Sequence, residues 1–64
     1  MDIWTDILSR EPRHIRRTFK QLNTGEKIAV RTHLIHMTSD PGWHPEQVKS
    51  ASIALEAIKD LPDV

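Results

Sequence analysis

The chain has 64 residues, of which nine are Lys or Arg, nine are Asp or Glu and none is Cys. A chain this short buries only about 60% of the surface that it exposes when unfolded, so we predict one helical domain over 1–64 with a thin core. The absence of cysteine excludes disulfides and thiolate metal sites. No apolar run approaches the roughly 18 residues of a membrane span. The N-terminus is acidic, unlike a signal peptide, and we expect a cytoplasmic protein of bacterial type without a membrane partner.

The net charge of zero conceals a segregated distribution. Residues 10–20 carry five positive side chains and one negative side chain, whereas the rest of the chain carries four positive and eight negative ones. Such a cluster of like charges usually forms a solvated face or binds a charged partner.

The first predicted helix is short. Asp2 is a suitable N-cap, and the helix ends by Arg10 or Glu11 because Pro12 disfavours the α conformation in the residue before it. Its apolar stripe comprises Ile3, Trp4, Ile7 and Leu8.

The second predicted helix begins at Pro12, since proline is tolerated at the first helical position. Its apolar side contains Ile15, Phe19 and Leu22, which recur at helical spacing. The opposite side is cationic over roughly 100° of arc. That side comprises Arg13, Arg16, Arg17 and Lys20, and we expect it to lie in water.

The third helix is predicted from about residue 24 to 38, because Asn23 and Glu26 have the spacing of a capping box. Ile28 and Ile35 lie nearly opposite its main apolar face. A helix that is apolar on two sides is usually packed between others, so we predict this helix at the centre of the bundle. The main apolar face comprises Ala29, Val30, His33, Leu34 and Met37.

The fourth helix follows a turn in which Pro41 and Gly42 occupy the positions that a type II turn favours. With Pro45 at its first position, the helix is predicted to reach about residue 60. Trp43 is predicted to pack back onto its first turns or the core, the alternative being an exposed anchor for a partner. The predicted buried side comprises Val48, Ala51, Ala54, Leu55, Ile58 and Leu61.

Small residues and one isoleucine on the fourth helix would let another helix approach closely. The approaching helix is either an intramolecular neighbour or a second copy of the chain. The candidate self-association residues are Ser50, Ile53, Ala54 and Ala57. Taken together, the elements predict an all-α fold, a compact bundle of three main helices plus a short N-terminal helix.

The cationic side of the second helix is a candidate surface for phosphates or for an acidic partner. Nucleic-acid binding is the alternative hypothesis, with Arg13, Arg16, Arg17 and Lys20 contacting phosphates. No aromatic side chain alternates with these cations to stack on bases. The helix after the turn has only two cations, Lys27 and Arg31, too few for a recognition helix.

Metal binding and catalysis receive little support. His33, His36 and His44 are the candidate metal ligands, but their directions on the helix diverge and no HExxH motif is present. We predict instead a partly buried, hydrogen-bonded His33 and an exposed His36, with no metal or other cofactor. No nucleophile elbow, paired carboxylates or phosphate-binding glycine loop indicates an enzyme or a small-molecule substrate.

The sequence therefore favours a small non-enzymatic interaction module. Its expected partner is another protein or a second copy of itself, and nucleic acid is the alternative.

Overall fold

A computed structural model describes residues 2–63, in which four helices form an all-α bundle. The helices are α1 (Ile3–Ile7), α2 (Pro12–Lys20), α3 (Thr24–Ser39) and α4 (Pro45–Ile58). The described part of the chain contains no strand. The predicted arrangement of three main helices and a short first one is confirmed.

The helix starts follow the predicted capping chemistry. The Asp2 carboxylate accepts a hydrogen bond from the Trp4 amide at 3.0 Å. Asn23 and Glu26 form both halves of a capping box, with N···O distances of 2.8 and 3.0 Å. Such caps satisfy amides that have no partner within the helix.

The turn before α4 also has the predicted geometry. Gly42 adopts a φ of 95°, which a residue with a Cβ rarely adopts. His44 is the N-cap: its Nδ1 accepts a hydrogen bond from the Glu46 amide at 3.1 Å. The side chain of Gln47 accepts one from the His44 amide at 3.0 Å, so the turn and the helix start are fixed together.

The core lies around α4, which packs against both α2 and α3, while α1 packs against α2. The prediction that α3 occupies the centre is therefore wrong. One side of α3 faces α4, and Ile28 and Ile35 on its other side remain 49% and 47% exposed. The buried residues are Ile7, Ile15, Phe19, Val30, Leu34, Met37, Ala51, Ala54, Ala57 and Ile58.

The predicted partial burial of His33 is also wrong, because His33 is exposed, as is Ala29 on the same face. The His33 ring lies against the edges of two tryptophans, with centroids 4.9 Å from Trp4 and 5.7 Å from Trp43. This contact links α1, α3 and the α3–α4 turn. Trp43 is half-buried and packs against the core, as predicted.

Each helix within residues 2–63 is too short or too polar to cross a membrane.

Candidate interaction surfaces

Phe19 lies on the inner side of α2 and is fully buried. From α3, Lys27 Nζ and Arg31 Cζ lie 5.9 and 5.2 Å from the centroid of its ring. These distances suit attraction between a cation and an aromatic face. Arg31 also donates to Asp63 Oδ1 and to the Leu61 carbonyl, at 2.9 and 2.7 Å. Both cations of α3 thus serve the fold.

Arg16 is the member of the cationic row that lies against α4. Its Nη1 donates to the Ala57 carbonyl at 2.9 Å and to Asp60 Oδ1 at 2.6 Å. That carbonyl is in the last turn of α4, where carbonyls lack helical partners and attract cations. The hydrogen bond from Arg16 lowers the pKa of Asp60, and a backbone hydrogen bond lowers it further. Arg16 is half-buried, contrary to the expectation that it lies free in water.

Arg10 makes a second contact of this kind at the start of α4. It has a φ of 65° between α1 and α2, a left-handed conformation that is uncommon for residues other than glycine. Its Nε donates to Ser50 Oγ at 2.9 Å, and its Nη2 donates to the Glu46 carbonyl at 3.0 Å and to Oε1 at 3.1 Å. Arg10 contacts the start of α4 and Arg16 its end, so α2 and α4 run parallel.

The remaining cations of α2 form its outer face. Arg13, Arg17 and Lys20 are exposed, and none of them forms an ion pair with a carboxylate in residues 2–63. We call these three residues the cationic face of α2. The predicted row of four cations is divided, because Arg16 contacts α4 and the other three point to solvent.

An open groove of about 750 Å³ runs between α2 and α4. Its apolar lining is contributed by Pro12, Ile53 and Ala57, and the Arg16–Asp60 pair borders it. This α2/α4 groove lies next to the cationic face, because Lys20 and Arg13 follow Arg16 at about 40° and about 60° on the helical projection of α2.

The four residues proposed for self-association are only partly available. Ala54 and Ala57 are 0% and 8% exposed within the chain, and Ser50 holds Arg10. Ile53 is half-buried at the edge of the groove. The helix that approaches Ala54 and Ala57 is therefore an intramolecular neighbour, because α2 and the rest of the core cover both residues.

The outer side of α3 carries no Lys, Arg, Asp or Glu over an arc of about 120°, and His36, which contacts Asp40, is the one titratable residue within that arc. Its residues are all exposed, and Ile28 and Ile35 are its large apolar members. We call this surface the neutral face of α3; it comprises Ile28, Ala29, Thr32, Ile35 and Ser39. Ile35 also lines a second groove, of about 460 Å³, which α3 forms with Leu55 of α4.

Each of the four histidines contacts a different part of the fold. His14 Nε2 is 2.8 Å from Asp6 Oδ1, and His36 Nδ1 is 3.0 Å from Asp40 Oδ2. His33 contacts the tryptophans, and His44 caps α4. Across residues 2–63, no group of three or more His, Cys, Asp or Glu side chains is placed to hold a metal ion.

Comparison with known proteins gives no relative: no family model, no curated protein and no solved structure matches the chain.

The neutral face was only half visible in the sequence. Ile28 and Ile35 form a second apolar side of α3, and this pattern predicts burial inside the bundle, whereas both residues are exposed. The stronger signal is the absence of charge from Ile28 to Ser39 on that side, in a chain in which 28% of residues are charged. Uncharged exposed helix faces are typical of association surfaces.

Proposed function

We propose that this chain is a non-enzymatic helical interaction module and that it self-associates through the neutral face of α3. The observation that carries the proposal is the exposure of Ile28 and Ile35, about half of each side chain, on a surface without charge. Apolar side chains left in water at adjacent positions favour association, since covering them removes apolar area from solvent.

A second copy fits this surface because the surface is self-complementary. Ile28 and Ile35 are separated by about two helical turns, or roughly 10 Å along the axis. If two α3 helices cross antiparallel about a two-fold axis near Thr32, Ile28 of one copy lies beside Ile35 of the other. Ala29 and Thr32 between them are small enough for the helices to approach closely, and no charge is buried.

The expected affinity is low. Covering the exposed half of one isoleucine contributes on the order of 1 kcal/mol, and four such side chains contribute in a dimer. Association itself costs at least about 4 kcal/mol. These two contributions roughly cancel, so a dissociation constant of about 1 mM, which corresponds to about −4 kcal/mol, requires a further contribution from close packing at Ala29 and Thr32.

Sedimentation equilibrium with Ile35→Lys tests the proposal. Ile35 is 47% exposed and is not one of the buried core residues, so we expect the variant to keep its fold while placing like charges on both sides of the dimer. We expect concentration-dependent association of the wild type that added salt does not weaken, and a monomer for Ile35→Lys. Gln21→Lys, at an exposed position that ends α2, is the matched control and should associate like the wild type. A wild type that stays monomeric up to about 1 mM contradicts the proposal.

Nucleic-acid binding is the second candidate function, and the unpaired cations of the cationic face favour it. Arg16 is committed to α4, so three phosphate contacts are available rather than four. The slope of log K against log salt would then be about −3. Fluorescence anisotropy with duplex DNA and with single-stranded RNA at low salt measures this slope. A lack of binding to both excludes this function.

A further inference from the structure

The cationic face of α2 and the α2/α4 groove lie side by side, and the dimer proposed above uses neither. Pro12, Ile53 and Ala57 form an apolar strip in the groove, which the Arg16–Asp60 and Lys59–Glu56 pairs border. The outer surface of α2 is positively charged. A ligand that fills the groove therefore has one edge over Ile53 and another within reach of Arg13 and Lys20. The shape and the charge together define the chemistry of the ligand.

The cations of this face form no ion pair in residues 2–63, although, after the Arg16 hydrogen bond, the charge of Lys20 also lowers the pKa of Asp60. Elsewhere, Arg10, Arg16, Arg31 and Lys59 each bond to a carboxylate, and Lys27 lies over the Phe19 ring. Among the described residues, Lys49 is the one further cation without such a contact. Three of the four unpaired cations thus lie together on the outer side of α2. Like charges at this spacing repel one another, and an anionic partner would relieve that repulsion.

A second copy of the chain is poorly suited to supply the anions. Eight of its nine Asp and Glu side chains already accept a hydrogen bond or pair with a cation inside residues 2–63. Among the described carboxylates, Glu11 alone has no such partner. The charge complementarity of the cationic face therefore points to a different molecule.

The groove favours a protein over a nucleic acid. A phosphate backbone would pair with the cations but would leave the apolar lining of Pro12, Ile53 and Ala57 uncovered. Both tryptophans contact His33 and do not line this groove, so no aromatic ring is placed there to stack on a base. An amphipathic helix, by contrast, presents apolar residues and acidic residues on adjacent edges.

We propose that the α2/α4 groove binds the apolar face of an acidic amphipathic helix from another protein, with its carboxylates along the cationic face of α2. Arg13, Arg17 and Lys20 are spaced four and three residues apart, so they form one row on α2. Carboxylates at the same spacing on a partner helix lie on one edge and match that row. This interaction deepens the proposed role as an interaction module, and it is independent of self-association at α3.

A designed peptide is the probe for this proposal. It is an amidated helical peptide with leucines at i, i+3 and i+7 and glutamates along the adjacent edge at i+4, i+8 and i+11. Its partner probe carries glutamine in place of each glutamate. Backbone amide NMR spectra of the full chain, recorded during each titration, locate the binding surface. The titrations use the Ile35→Lys variant as well as the wild type, so a failure of the dimer and a failure of this proposal are distinguishable.

We expect the acidic peptide to bind and to shift amides of α2 and of α4 around Ile53. The glutamine peptide should bind at least about tenfold more weakly at low salt, since several exposed ion pairs are lost. Arg13→Glu and Lys20→Glu should each weaken binding roughly three- to tenfold. Thr32→Glu places a negative charge at an exposed position on the outer side of α3, away from the groove, and should have a smaller effect. Ile53→Thr keeps the branched shape and should weaken binding of both peptides.

Four results would overturn the proposal. Equal affinity for the acidic and glutamine peptides would show that the cations are not involved, and shifts confined to Ile28 and Ile35 would place binding on the wrong surface. Duplex DNA or RNA that binds the cationic face, with no peptide binding, would make nucleic acid the ligand. Concentration-dependent shifts at Ile53 without peptide would show a second copy in the groove. Thermal unfolding of each variant confirms that its fold is retained.

Discussion

The outer faces of α2 and α3 are both exposed, yet their chemistry is opposite. The face of α2 carries Arg13, Arg17 and Lys20 without an ion pair in residues 2–63, whereas the face of α3 carries Ile28 and Ile35 and no charge. Both helices pack on α4 through buried apolar residues. The α2 side is held in addition by Arg10 and Arg16, which contact the two ends of α4. Charge near an interface is therefore structural in some positions and available to a partner in others.

The largest predicted change in the free energy of unfolding follows from the difference between the buried side and the exposed side of α2. Phe19→Ala removes a fully buried ring and should destabilise the fold by about 3–5 kcal/mol, enough to unfold most of a domain this small. Arg17→Ala, two residues earlier on the outer face, should change the free energy of unfolding by less than about 0.5 kcal/mol. Urea denaturation followed by circular dichroism compares the two. A similar loss for both would mean that the outer face is not free.

The arginines that contact α4 should behave differently from those of the cationic face. Arg16→Ala removes the hydrogen bond to the Ala57 carbonyl and the partly exposed pair with Asp60. We expect a loss of about 1–2 kcal/mol. Arg13→Ala should be neutral to within about 0.5 kcal/mol. If the two variants have the same midpoint of denaturation, the assignment of Arg16 to the fold is wrong.

Two substitutions at Arg10 separate the energetic cost of its left-handed backbone conformation from the stability that its side-chain hydrogen bonds contribute. Arg10→Ala loses the bonds to Ser50 and Glu46 and keeps the left-handed φ. Arg10→Gly loses the same bonds but adopts this φ without a steric penalty. The glycine variant should therefore be the more stable of the two, by about 0.5–1 kcal/mol. Thermal unfolding distinguishes them, and an alanine variant that equals or exceeds the glycine variant would contradict the left-handed geometry.

The smallest predicted effect depends on pH. The Arg16 hydrogen bond holds the pKa of Asp60 below its ordinary value of 3.8. The stabilising contribution of this pair is therefore fully present above that value, and it is lost as the pH falls through the lowered pKa of the folded state. Asp60→Asn should be less stable than the wild type at neutral pH, and the difference should disappear in strong acid. A difference that stays constant throughout would exclude a role for the Asp60 charge.

Much of this fold could be predicted because its helix boundaries are chemically explicit. Asn23 with Glu26 and the prolines at positions 12 and 45 begin helices where expected. The direction of a side chain on its own helix was also predictable, as Phe19 shows.

The partner of each helix face was not predictable in the same way. Helical spacing places Arg16 beside Pro12, but it does not say that the last turn of α4 lies within reach of its guanidinium. Helical spacing shows two apolar sides on α3, but it does not show that α4 covers only one of them. It places His33 on the broad apolar face and does not reveal the two tryptophans that meet it from outside the core.

Dilution of the labelled chain, followed by backbone amide NMR, tests most directly the claim that the chain self-associates through the neutral face of α3 and not through the cationic face of α2. On dilution from about 1 mM to about 10 µM, we predict shift changes concentrated between Ile28 and Ser39 and essentially none at Arg13, Arg17 and Lys20. Shift changes centred on α2, or none at all, would contradict the account.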